Sequence, residues 1–227
     1  MENAVRVLST YAFKGAVIQL TEPFRSLSGL RMEADFAPTL SLLKRLRDGE
    51  TADVLILTLE GLDELIEEGT VVAESKRDLA RSLVGIAVKE GHPHPDIASE
   101  GAFIAALLAA RSVAYSKSGA SGIFFAQLIG RLGIASQINA KATVTSGLTA
   151  ERLISGEADI AVQQISELKQ VAGVEIVGPV PPSLQTPAVF SAGRMTASTR
   201  ADEADRLLAY RASKDVAPVL RETWLEP

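Results

Sequence analysis

A chain of 227 residues, 47% of them apolar, has enough hydrophobic surface for one sizeable core or two smaller ones. Its net charge of -5, with lysines and arginines scattered along the chain, leaves no basic face for a phosphate backbone and argues against nucleic acid as a partner. The lack of cysteine removes disulfides, thiolate nucleophiles and thiolate metal sites, and no apolar run approaches the roughly 20 residues that span a bilayer, so membrane insertion is not expected.

The first residues, Met1-Glu2-Asn3-Ala4, carry no basic region and no cleavage site, so the expectation is a cytoplasmic protein if Met1 is the native start and a periplasmic one if a signal peptide was removed. A β-branched run predicts a strand over 5–8, followed by a helix over 13–26. Strand 31–35 then leads to helix 39–48, opened by Pro38 and Thr39 and closed by Gly49, and strand 54–57 leads to helix 59–67. Strand 84–88 runs into the loop Gly91-His92-Pro93-His94-Pro95. Beyond it come helix 100–110, strand 112–115, helix 121–132, strand 143–145, helix 149–154, strand 159–162, helix 165–170 and strand 174–177. A second proline cluster, Pro179-Val180-Pro181-Pro182, precedes strand 188–191 and helices 201–210 and 216–223.

This alternation predicts an α/β protein with mainly parallel sheet covered by helices on both faces. Nine strands are many for one sheet in so short a chain, and the two proline-rich loops fall where the chain would cross between units. Two Rossmann-like lobes are expected, one discontinuous over 1–83 plus 186–227 and one inserted over 84–185, with a ligand cleft between them.

In open α/β sheets, ligands meet the loops beyond the carboxyl ends of strands, where helix N-termini favour anions. Here those loops are rich in hydroxyls and glycine: Ser9-Thr10-Tyr11-Ala12, Ala37-Pro38-Thr39, Ser116-Lys117-Ser118-Gly119-Ala120-Ser121-Gly122, Thr145-Ser146-Gly147 and Gln163-Gln164. Any one Ser or Thr there could be an ordinary helix cap, so the argument rests on their joint placement. The tract 116–122 makes a plausible amide nest, yet neither phosphate-loop nor dinucleotide fingerprint occurs, and no cofactor is expected. His92 and His94 share one proline-rich connector without further ligands nearby, so no metal site is expected, and position 123 is Ile123, which breaks a serine-hydrolase elbow at Ser121. Lys14, Arg81 and Lys117 are the cations near these loops.

Several stretches, in order and spacing, carry a family likeness: Val5 to Ala12, Gly49 to Ile56, Ala80 to Val88 with Gly91 to Ile97, Ser118 to Ala126, and Gly156 to Glu167. They resemble the type 2 periplasmic solute-binding proteins, in the branch that holds molybdate binders and an aconitate isomerase. The resemblance implies hinged lobes of the periplasmic-binding-protein type and a small oxyanion or carboxylate held by Thr10, Tyr11, Ala12, Thr39, Ser82, Ser118, Ser121 with the Gly122 amide, and Gln164. Where molybdate binders present a tyrosine, this chain reads Gln163-Gln164. A binder of this kind implies an ABC permease as partner if exported; the alternative is an isomerase that shifts an allylic proton of an unsaturated carboxylate, with Tyr11, Lys14 or Lys117 as base.

Overall fold

The structure is a computed structural model, and it describes Ala4–Pro227; Met1, Glu2 and Asn3, on which the expectation about the N-terminus rests, lie outside the described residues. The described residues form ten strands: β1 (Ala4–Ser9), β2 (Arg31–Phe36), β3 (Val54–Thr58), β4 (Arg77–Ser82), β5 (Val84–Lys89), β6 (Val113–Ser116), β7 (Ala142–Thr145), β8 (Ile160–Gln164), β9 (Val174–Pro179) and β10 (Ala188–Arg194). The chain divides into two compact units, the first running to Ser82 and resuming over Ala188–Pro227, the second spanning Leu83–Pro187.

The first unit is built on a five-stranded sheet of order β2-β1-β3-β10-β4. Strands β2, β1 and β3 are parallel, while β10 runs antiparallel to both β3 and β4. All five residues of β3 are buried, as expected of a strand covered on both faces. One face packs on Phe13, Val17, Phe24, Leu207 and Leu220, the other on Leu42, Leu46, Leu62 and Leu65.

The second unit repeats the plan as β7-β6-β8-β5-β9. Here β7, β6 and β8 are parallel, and β5 is antiparallel to β8 and β9. Phe103, Phe125, Leu128 and Ile138 fill one face, and a patch of small and aliphatic residues including Ala114, Ala161 and Leu168 fills the other.

The sheets are therefore mixed rather than mainly parallel. Strand β4 is absent from the sequence-based expectation because Arg77-Asp78-Leu79-Ala80-Arg81-Ser82 is half-exposed at a sheet edge and lacks a clean apolar alternation. The helix expected over 13–26 is split: a 3-10 turn at Tyr11–Phe13 and a helix at Lys14–Gln19 are followed by a second helix at Thr21–Ser28. Pro23 explains the break, since it cannot donate to the carbonyl four residues back and its ring crowds that carbonyl. A short helix at Ala135–Asn139 was also not foreseen.

Candidate ligand-binding site

Strand register places the candidate residues of the first unit on one sheet edge. Ser9, at the end of β1, pairs with Phe36 at the end of β2 and with Ile56 near the end of β3, and Ser82, at the end of β4, pairs with Ala188 at the start of β10. Thr10, Tyr11 and Ala12 continue from β1, and Thr39 begins the helix Thr39–Arg47 that follows β2. Lys14 comes to the same corner, its Nζ 6.0 Å from the centre of the Phe36 ring.

The hydroxyls do not behave as helix caps. Thr10 precedes the 3-10 turn without a side-chain cap bond, whereas capping is done by Thr58, which accepts from the Gly61 amide, and by Ser99, which accepts from the Ala102 amide. Thr10 Oγ1 and Ser82 Oγ are buried and have no hydrogen-bond partner among the described residues, although their residues are only 3% and 1% exposed. Thr39 is buried, and its methyl group would lie 3.4 Å from a Cβ placed on Gly61.

The second unit gathers its candidates on the equivalent edge, where Ser116 of β6 pairs with Thr145 of β7 and Gln164 of β8 pairs with Val84 of β5. Ser116 Oγ accepts from the Gly119 amide at 2.9 Å, and the Lys117 amide donates to the Thr145 carbonyl at 2.7 Å, which folds the tract back onto the sheet. Glycine is needed at 122 for packing: a Cβ there would fall 1.8 Å from the Ser116 carbonyl oxygen. The Gly122 amide, expected to face a ligand, donates to the Gly119 carbonyl at 3.0 Å. Ser121 lies in the first turn of the helix Ala120–Arg131 and is 1% exposed, and its Oγ finds no partner among the described residues. Ser118 is half-buried and Lys117 exposed.

At the end of β8 the two glutamines differ. Gln163 is tied into the protein: its Oε1 accepts from the Thr149 amide at 2.7 Å and the Thr149 hydroxyl at 2.9 Å, and its Nε2 donates to the Gly147 carbonyl at 3.4 Å. Gln164 is equally buried, yet its Oε1 has no partner among the described residues, and neither has the hydroxyl of buried Ser166 two residues on. Glu167, also buried, was not singled out by sequence reasoning, although its three-residue spacing from Gln164 is that of a capping box. Desolvation pushes its carboxyl up to about 8, against the lowering effect of the Gln164 amide and the Gln163 side chain that hydrogen-bond to it. The histidines lie elsewhere: His94 Nε2 meets Glu175 at 2.8 Å in an exposed pair.

Both edges thus present buried oxygens held by strand ends and helix starts. Residues 5–225 match the family described as bacterial extracellular solute-binding protein. The chain belongs to this family. Among proteins similar in sequence is the aconitate isomerase of Pseudomonas sp, 33% identical over 232 residues, covering 99% of this chain and 88% of that protein. The periplasmic molybdate-binding protein of Azotobacter vinelandii is similar in structure, with a TM-score of 0.83 at 16% identity over 98% of this chain and 99% of that one. The sulfate-binding protein SubI of Mycobacterium tuberculosis also superposes with a TM-score of 0.83, at 14% identity over 100% of this chain and 87% of its own. At such identities the structural likeness speaks for a periplasmic-binding-protein fold. No helix among the described residues is long and apolar enough to cross a membrane.

Proposed function

We propose that this solute-binding protein takes a small anion, an oxyanion or a carboxylate, with Thr10 and Ser82 as the candidate contacts of the first unit and Ser121 and Gln164 as those of the second. The observation that carries this reading is that each of the four holds a buried side-chain oxygen without a partner among the described residues. An unsatisfied buried polar group costs about 1–3 kcal/mol, so four at strand ends and helix starts on these two edges are costly unless something else bonds to them. Hydroxyls donate to anions, and rotation of the Gln164 amide can present its NH2 group instead of its oxygen. Tyr11, Ala12, Thr39 and Ser118 line the same edges as supporting contacts. An ABC permease, met outside the cytoplasm, is the partner this reading implies.

The likeness to an aconitate isomerase favours a second reading, in which the bound anion is an unsaturated carboxylate and the protein moves its allylic proton. Tyr11 and Lys14 sit half-buried at the first edge and are the better placed of the proposed bases, whereas Lys117 is exposed.

A thermal-shift screen against molybdate, sulfate, citrate and cis- and trans-aconitate tests the binding reading, because a ligand that binds only the folded state stabilises it by about 2.7 kcal/mol at one hundred times its dissociation constant. Stabilisation by at least one of these anions, reduced in Thr10→Val or Ser121→Ala, is the expected result. No shift with any of them would overturn it. Proton NMR of cis-aconitate with the protein in deuterium oxide tests the isomerase reading, which requires conversion to the trans isomer.

A further inference from the structure

Glu167 has no task in the binding reading, yet the fold goes to some lengths to bury it. It is the third residue of the four-residue helix Ile165–Leu168, every residue of which is buried, directly after the Gln163-Gln164 pair. Its carboxyl receives the backbone amide of Gln164 and the side-chain amide of Gln163, so one carboxyl holds both glutamines at the end of β8. Gln164, which takes part in this contact, and Ser166 beside it each carry a side-chain oxygen without a partner among the described residues. We propose that Glu167 is a positioning residue for the anion: in its neutral form it sets Gln163 and Gln164 for binding, and its ionisation disfavours the bound ligand.

The electrostatic surroundings support a neutral carboxyl. The strands packed against its helix are β5, β8 and β9, and their titratable side chains are Lys89 at the far end of β5 and Glu175 on β9. Glu175 pairs with Val88, also at that far end, and is engaged by His94. Val84, by contrast, is the β5 residue that faces Gln164. No charge among the described residues contributes to the shift of Glu167, which comes from desolvation and is opposed by its two hydrogen bonds. An anion brought close to the Gln164 side chain adds like charge, and so raises the proton affinity of Glu167 further. Binding must then draw a proton from solution wherever free Glu167 is partly ionised.

The inference rests on the anion-binding reading, and its test separates the two. Trans-aconitate and molybdate, both fully ionised at pH 8, are titrated calorimetrically in buffers of different ionisation enthalpy. The wild-type protein is expected to take up about half a proton per ligand near pH 8, and its dissociation constant to rise about fivefold between pH 8 and 9. Glu167→Gln, a permanently neutral mimic, is expected to abolish the uptake and flatten the profile; Glu167→Ala weakens binding, and the Gln variant restores it. A role confined to capping the helix predicts no proton uptake by the wild-type protein. Either that result or an unchanged profile in the Gln variant overturns the proposal. Should the variants not fold, the wild-type uptake decides alone. Should neither anion bind, the binding reading loses support while this one is judged by carbon NMR of glutamate-labelled free protein: a carboxyl titrating near pH 8 supports a neutral Glu167, and titration of every glutamate in the ordinary range overturns it.

Discussion

Both units order their strands alike, with a parallel trio followed by an antiparallel strand and a fifth strand, but they hold their polar edges differently. In the first unit Thr10 is fixed by the main chain, its amide donating to the Ile56 carbonyl at 3.0 Å and its carbonyl accepting from Phe13. In the second, the edge is set largely by side chains: Thr149, Gln163 and Glu167 form one buried polar network, which also takes in the main-chain amide of Gln164. The first unit also buries a charge-bearing group, Arg211, which donates to the Ala16 carbonyl and the Met32 sulfur; burial brings it down to about 10, so it remains a cation at neutral pH. The lesson is that a backbone-built edge ignores pH over the physiological range, whereas a network-built edge inherits the titration of its one buried acid.

That contrast can be broken most strongly through Glu167. A carboxyl that titrates near 4.3 when unfolded and near 8 when folded keeps its proton in the native state over that interval, so the folded protein binds more protons and stability falls as pH rises from about 4.5 to 8. The fall should be on the order of 4 kcal/mol and should level off above pH 8. Urea unfolding at pH 5, 6.5 and 8.5 should show this loss in the wild-type protein and its near disappearance in Glu167→Gln. Parallel profiles for the two proteins would remove the contrast between the units.

Next in size is Gly122→Ala. Its Cβ meets a backbone carbonyl, which cannot swing aside, so helix Ala120–Arg131 must move off β6 at an expected cost of about 3 kcal/mol. Gly119→Ala provides the control, because its nearest clash, at 2.8 Å, is with the Ser116 hydroxyl, and a side chain can rotate. Denaturant midpoints should fall clearly further for position 122 than for 119.

The parts of this architecture that were legible in the sequence are those written in apolar periodicity and punctuation. Val54-Leu55-Ile56-Leu57 reads as a buried strand, and Gly49 and Gly156 end helices with φ of 97° and 77°. The edge strand β4 was not legible, because its pattern reflects partial exposure rather than a face. Strand direction was not legible either: the antiparallel course of β5 and β10 follows from where the chain passes between units, a long-range property that local spacing does not encode. For the site, the tract Ser116 to Gly122 stood out by composition, but the sequence could not say which hydroxyls cap and which are left over. Thr58 and Ser99 cap, while Thr10 and Ser121 do not, and that division depends on backbone geometry at each helix start. Glu167 escaped because a lone acid in a short apolar segment looks like a solvated charge until the packing around it is known.

A subtler test applies to both edges at once. Thr10→Val in the first unit and Ser121→Ala in the second each delete an unpartnered buried hydroxyl, so each should stabilise the free protein, by about 1 kcal/mol, while weakening anion binding about tenfold. Opposite signs in thermal melts and in calorimetric affinity are the expected outcome. Loss of stability together with unchanged affinity at either site would mean that its hydroxyl serves the fold rather than the ligand.

The smallest expected effect concerns the C-terminus of the first unit. After the helix Ala217–Glu222, the Trp224 amide donates to the Arg221 carbonyl and the Leu225 amide to the Leu220 carbonyl, a helix-ending pattern that places Trp224 at φ 62°, where glycine is the low-energy residue. The turn delivers Leu225 into the core and lets Glu226 exchange two main-chain hydrogen bonds with Arg81, next to Ser82. Trp224 itself is 50% exposed, so the backbone strain should outweigh what its ring contributes to packing. Trp224→Gly is therefore expected to raise stability by somewhat less than 1 kcal/mol, seen as a melting temperature a few degrees higher. A lower melting temperature would show that the indole, not the turn, anchors this segment beside the end of β4, and that the first edge too depends on a side chain for its placement.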